Sequence, residues 1–193
     1  MMLSELRAHT QSLHKEIEKE NLAGLIMDHS ISRNQYKTLL LQNYIAYKVV
    51  EDEVSPYMED YKTGKSDQLK KDLDFLKVDI IRLRDFKTKF NCQNKMGALG
   101  AAYVVEGSVL GGLMIAKELS NCIQLNDIKI HHFFNGDRTN INGWKQFCKQ
   151  VKNTQYSEEE INQAVEKAKE TFIFFGKVFK EILAEELTLK EIL

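Results

Sequence analysis

One proline, ten glycines and three cysteines in 193 residues remove several possibilities at once. A β-sandwich or barrel spends Gly and Pro on its many turns. This chain has little of either and is rich in Leu, Lys, Glu and Gln, so the composition predicts an all-α protein. The cysteines, Cys92, Cys122 and Cys148, are odd in number, widely spaced and form no C-x-x-C pair. That pattern argues against a disulfide framework or a zinc site and leaves them as reduced packing residues. Charge of one sign is also missing: 27 basic and 28 acidic residues, spread along the chain, leave a net charge of −1. No bulk field would draw nucleic acid or an anionic membrane. The start, Met1-Met-Leu-Ser-Glu-Leu-Arg7, has no apolar run of the kind a secretory signal needs, so the expected location is the cytoplasm. There is no Walker loop, G-x-G-x-x-G, G-x-S-x-G, H-E-x-x-H or metal-binding acidic loop, which leaves phosphate, dinucleotide, esterase and zinc-peptidase chemistry without support.

What is present is helical periodicity. The length suits one domain, 1–193, large enough to bury a core, with no repeat or linker to divide it. Six helices are expected. The first runs from about Ser4 to Glu20; the second opens on the capping box Ser32-Arg-Asn-Gln35 and carries Tyr36, Leu39, Leu40, Asn43, Tyr44, Tyr47 and Val50 before stopping near Pro56. A third covers Asp67 to Arg84 with Leu69, Leu73, Leu76 and Ile80 in register, and a fourth, the most buried, runs from about Gln93 to Leu119. A short fifth begins near Gly143-Trp144. The last opens on the box Ser157-Glu-Glu-Glu160 and presents Ile161, Val165, Ala168, Phe172, Phe175, Phe179 and Ile182. Ile128 to Asn142 reads as a loop, with His131 and His132 facing solvent.

The fourth helix holds glycine where glycine is costly, about 1 kcal/mol per position relative to alanine. Gly97 to Ala116 holds a single charge, Glu106, and includes Gly107-x-x-x-Gly111, the small-residue pattern of transmembrane dimers. A central carboxylate, five glycines and the lack of a basic flank or a second span weigh against a membrane segment. On a helical wheel Gly100, Gly107 and Gly111 fall within about 40° of one another, with Val104 on the same line. The result is a groove without side chains, suited to another helix or to a flat ligand.

The first helix bears on that choice. Arg7, His14 and Glu18 share one face, with Thr10 and Gln11 beside them. An imidazole can ligate a metal through one nitrogen while a neighbouring acceptor holds the other, and Glu18, one turn on, is placed to orient the ring or to hold a bridging water. A single protein nitrogen suits haem iron, whose four in-plane ligands come from the porphyrin. The bland alternative is a surface histidine. His9, about 140° from His14 on the wheel, and His29 are read as surface residues.

Two of these stretches resemble one known family. Leu6-Arg-Ala-His-Thr-Gln-Ser-Leu-His14-Lys-Glu-Ile-Glu18 is similar to the proximal-helix signature of haem (heme) oxygenases, and Tyr103-Val-Val-Glu-Gly-Ser-Val-Leu-Gly-Gly112 to their distal helix, above all in the bacterial branch that makes biliverdin. The likeness extends through Ser32 to Glu53 and through Trp144 to Phe179. It implies a helical bundle with haem b between the first helix and a kinked central one. The haem is both cofactor and substrate, cleaved with O2 and electrons to biliverdin, carbon monoxide and ferrous iron. It makes His14 the axial iron ligand with Glu18 close behind, Gly107 and Gly111 the distal glycines over the porphyrin, and Gly112 their neighbour. Arg7, Lys145 and Lys149 align with basic residues that hold the propionates, and Phe172 and Phe179 with aromatics that wall the pocket. An electron donor, a ferredoxin or a flavin reductase, is implied as partner. Animal members carry a distal aspartate where this chain has Ser108, so any water network is arranged differently, and Tyr103 could add its hydroxyl. Two other functions stay open: a haem-holding or sensing protein without turnover, and a thiaminase-like enzyme of the same fold, which needs a cysteine nucleophile beside acidic partners.

Overall fold

At the centre of the molecule a glycine lies directly on a neighbouring backbone. The computed structural model describes the backbone of residues 1–59, 61 and 64–192, and their side chains except at 20 and 185–192. The helices are α1 (Met2–Glu20), α2 (Gly24–Met27), α3 (Arg33–Val54), α4 (Lys65–Phe75), α5 (Leu83–Lys87), α6 (Lys95–Gly107), α7 (Val109–Leu119), α8 (Ile141–Lys152) and α9 (Glu158–Ile192), with 3-10 turns at Ile123–Leu125 and Arg138–Asn140. Among the described residues there is no strand, as the composition predicts.

Helix α9 is the spine on which α6, α1 and α3 all pack. Its stripe Ile161, Val165, Ala168, Phe172, Phe175, Phe179 and Ile182 is buried along its whole length. The crossing of α6 over α9 is the tightest contact: a Cβ built on Gly100 would lie 2.0 Å from the Ala164 carbonyl oxygen. Small residues on both sides, Ala98, Ala101 and Ala102 against Ala164 and Ala168, all fully buried, let the two backbones meet. Both expected capping boxes form. Ser32 accepts from the Gln35 N–H while Gln35 accepts from the Ser32 N–H, and Ser157 and Glu160 make the same exchange.

Three expectations need correction. The third helix does not run from Asp67 to Arg84 but stops at Phe75, where Val78 N–H bonds Leu73 O and Lys77 N–H bonds Asp74 O. That is a Schellman end with Lys77 at φ 53°, a position glycine usually fills, so the sequence carries no visible stop signal. The fourth helix, continuous in its periodicity, is broken at Ser108 into α6 and α7, which agrees with the kinked central helix that the resemblance implies. By length and composition Lys95–Leu119 would reach across a membrane, with mean hydropathy 1.6, but its α6 half is buried on α9 in the manner of a core helix.

The third correction concerns His131, which is half-buried with its Nδ1 2.7 Å from the Tyr36 hydroxyl. Tyr36 is fully buried, and an accepting imidazole satisfies its O–H. Asp72 anchors the same loop by accepting from the backbone N–H groups of His132 and Phe133. Burial holds His131 below the usual histidine range, with Asp72 pulling the other way. A group with a depressed folded pKa stays neutral in the native state, so its contribution is present above the unfolded histidine value of about 6.5 and is lost as pH falls. Thermal melts from pH 7 to pH 5 should show the wild type losing more stability than His131→Gln, which accepts the same hydrogen bond without titrating. Parallel losses would contradict this role.

Candidate functional site

Helices α1 and α6 both lie on α9 and both touch α8, and they meet each other through Tyr103 of α6 and Thr10 of α1. The slot is the region between α1 and the α6–α7 pair, beside α9 and α8. On α1 the inward stripe Met2, Leu6 and Thr10 is buried, and one turn further His14 emerges with its side chain 54% exposed. Its Nδ1 lies 3.4 Å from the Glu18 carboxylate, which leaves Nε2 without a hydrogen bond among the described residues. Phe172 of α9 meets the imidazole edge-on, with ring centroids 5.7 Å apart. His14, Glu18 and Phe172 are thus brought together.

Across the slot, α7 is an apolar helix that α2 and α8 cover only in part. Of its residues only Leu119 is buried, while Leu110 is 48% and Met114 60% exposed. Nothing lies within 4 Å of a Cβ added at Gly111 or Gly112, whereas one added at Gly107 would meet Trp144 at 3.7 Å. The single glycine line read from the wheel is therefore two features. Gly100 serves helix packing, Gly107 lies beside Trp144, Gly111 has open space beside it, and Gly112 lines the cavity on the Ser108 side. Tyr103 sits between the two sides, close to Thr10 and Arg7 of α1; burial raises its hydroxyl pKa and these two neighbours lower it.

Ser108 faces a different space. Its Oγ donates to Val105 O at 2.8 Å and accepts from Lys65 Nζ at 2.9 Å. Lys65 also donates to Val105 O, and its ammonium lies 5.7 Å from the Tyr47 ring centroid. Burial pushes Lys65 down to about 8, opposed by Glu106 and Glu51, and burial raises Glu106 against the pull of Lys65. Lys65, Ser108 and Glu106 line a cavity of about 370 Å³ with Gly112 and with Tyr61, whose buried hydroxyl has no hydrogen-bond partner among the described residues. Lys145 and Lys149 stand one turn apart on the exposed side of α8, and Lys145 shares a shallow cleft with Lys117 and Arg138. Phe179 is buried against Phe175, two turns beyond Phe172, and no contact joins it to His14.

A family model described as heme oxygenase matches residues 1–181. The chain belongs to the haem oxygenase family. Its fold is similar to that of the NO- and CO-bound heme oxygenase of Neisseria meningitidis, with TM-score 0.71, 18% identity, and 95% of this chain and 92% of that one covered. It is also similar to heme oxygenase-1 of the cyanobacterium Synechocystis in complex with heme (0.69, 18%, 99% and 96%) and to the heme oxygenase of Leptospira interrogans (0.68, 19%, 93% and 98%). No curated protein matches the chain.

The residues fit a haem. Among the described residues no three of His, Cys, Asp or Glu cluster as metal ligands, and a lone imidazole such as His14 suffices for haem iron because the porphyrin supplies four ligands. Bare main chain at Gly111, flanked by the exposed side chains of Leu110 and Met114, suits the approach of a flat apolar group. Sequence reasoning missed Lys65 and the place of Trp144. Lys65 is one lysine among many, and only the fold folds it under the helix break.

The glycines separate in a direct test. Gly100→Ala should cost about 3 kcal/mol in chemical denaturation, because its methyl group meets backbone. Gly111→Ala, with open space and a helical backbone, should stabilise the haem-free protein by roughly 0.5–1 kcal/mol. Equal effects would refute the division of roles.

Proposed function

We propose that this chain is a haem oxygenase that binds haem b in the slot between α1 and α7 and converts it, with O2 and electrons, to biliverdin, carbon monoxide and ferrous iron. The observation that carries the reading is the pairing of a half-exposed imidazole on α1 with an uncovered, glycine-bearing apolar face on α7. When bound, the haem supplies the iron that activates oxygen and the ring that is opened.

In this reading His14 ligates the iron through Nε2, and Glu18 beside Nδ1 orients the ring. Gly111 lets the porphyrin approach main chain, with Gly107 beside it under the Trp144 indole and Gly112 next to it on the Ser108 side, and Phe172 walls the slot beside the imidazole. Arg7, Lys145 and Lys149 attract the propionates at the solvent edge. Tyr103 closes the floor near Thr10, and Phe179 supports the wall from the core. Ser108, held by Lys65, brings hydrogen-bonding capacity to the helix break. We further propose that the chain is one domain, that it works in the cytoplasm, and that a ferredoxin or flavin reductase supplies electrons. A cysteine-dependent reaction is disfavoured. All three thiols are free, and burial raises each of them, Cys92 to about 11, away from the thiolate a nucleophile needs.

The test is turnover. Hemin added to the purified protein with a reductant in air, catalase present, should lose its Soret band and yield biliverdin identified by mass, with ferrous iron trapped by a chelator. A Soret band that persists unchanged would leave a haem-holding protein in place of an enzyme.

A further inference from the structure

The space along the distal backbone is closed at one end and open at the other. At Gly107 an added Cβ would lie 3.7 and 3.8 Å from Cζ3 and Cη2 of Trp144, whereas at Gly111 and Gly112 nothing stands within 4 Å. The indole is braced from two sides. It stacks on Phe147 with centroids 5.8 Å apart and planes 14° from parallel, and the Tyr103 ring lies 5.7 Å away. Phe147 is itself buried, so the stack is anchored in the core. Trp144 therefore stands as a rigid wedge where α8 crosses the end of the slot, and it is the only tryptophan in the chain.

Taking the slot as a haem site, as proposed above, we infer that Trp144 is a positioning residue that sets the in-plane orientation of the porphyrin and so determines which meso bridge is opened. The porphyrin core is close to four-fold symmetric, and its edges differ in their methyl, vinyl and propionate groups. Cations alone do not choose finely among orientations. Arg7, Lys145 and Lys149 are exposed, long and rotamer-rich, and attract carboxylates over a range of positions. An indole held by two aromatic neighbours is different, because an orientation that drives a peripheral substituent into it meets close-packed atoms that cannot yield. The substituted edge is then left to the open end at Gly111. Lys145, next in sequence to Trp144, ties the wedge and one propionate-attracting charge to the same turn of α8.

The full-length wild type, Trp144→Phe and Trp144→Ala are compared as ferric cyanide complexes with haem. Proton NMR of the shifted haem methyl groups reads the seating without turnover, and the ratio of biliverdin isomers reads it afterwards. The wild type should show one dominant set of methyl resonances. Trp144→Ala should show a second set of comparable intensity and a second isomer in matching proportion, and Trp144→Phe should stay close to the wild type. Trp144→Leu, which keeps an apolar side chain against Phe147, carries the same expectation as the alanine variant if that one is unstable in thermal melts. A methyl pattern and an isomer ratio that remain those of the wild type in a variant still ligated by His14 would overturn the inference, since a merely structural role moves stability and leaves both unchanged. Failure of the wild type to take up hemin would overturn the haem reading first, and this inference with it.

Discussion

At the crossing of α6 and α9 a hydrogen atom stands where any other residue would place a carbon 2.0 Å from a carbonyl oxygen. This contact between Gly100 and Ala164 sets the separation of α6 from α9, and α9 is also the surface on which α1 lies. His14 and Gly107 are thus referenced to one spine from two directions. The slot between them has a defined width because both its sides are packed, through small or fully buried residues, onto the same helix. Interiors packed to this density do not deform gradually, so a change at the crossing would be felt at the site.

The break at Ser108 has a different role. A straight helix from Lys95 to Leu119 would have carried one stripe of small residues into one packing contact. Ending α6 at Gly107 and restarting at Val109 lets the first half serve the core while the second half lies exposed over the slot. Behind the break, the Val105 carbonyl takes hydrogen bonds from both Ser108 Oγ and the Lys65 ammonium, with Glu106 and Glu51 nearby to balance the buried charge. A cation placed there without those carboxylates would be costly to bury.

Much of this was legible in the sequence, where local chemistry decides the outcome. The capping boxes at Ser32 and Ser157, the buried stripes of α3 and α9, and the shared face of Arg7, His14 and Glu18 follow from spacing alone. The misses have a common cause. Lys77 ends α4 from the left-handed region without being glycine, and His131 is drawn inward because a buried tyrosine 95 residues away in sequence needs an acceptor. The wheel placed Gly100 with Gly107 and Gly111 because it assumes one unbroken helix, and nothing local distinguishes a glycine that meets backbone from one that meets open space. Lys65 lies forty residues from the carbonyl it binds, and Trp144 thirty-seven from the glycine it covers, so both contacts belong to the tertiary fold.

The central claim is that the α1 imidazole ligates the haem iron, and resonance Raman spectroscopy of the reduced haem complex tests it most directly. The account predicts an iron–histidine stretching band in the wild type that disappears in His14→Ala and returns when free imidazole is added. The same band, undiminished in the alanine variant, would place the ligand elsewhere and contradict the account.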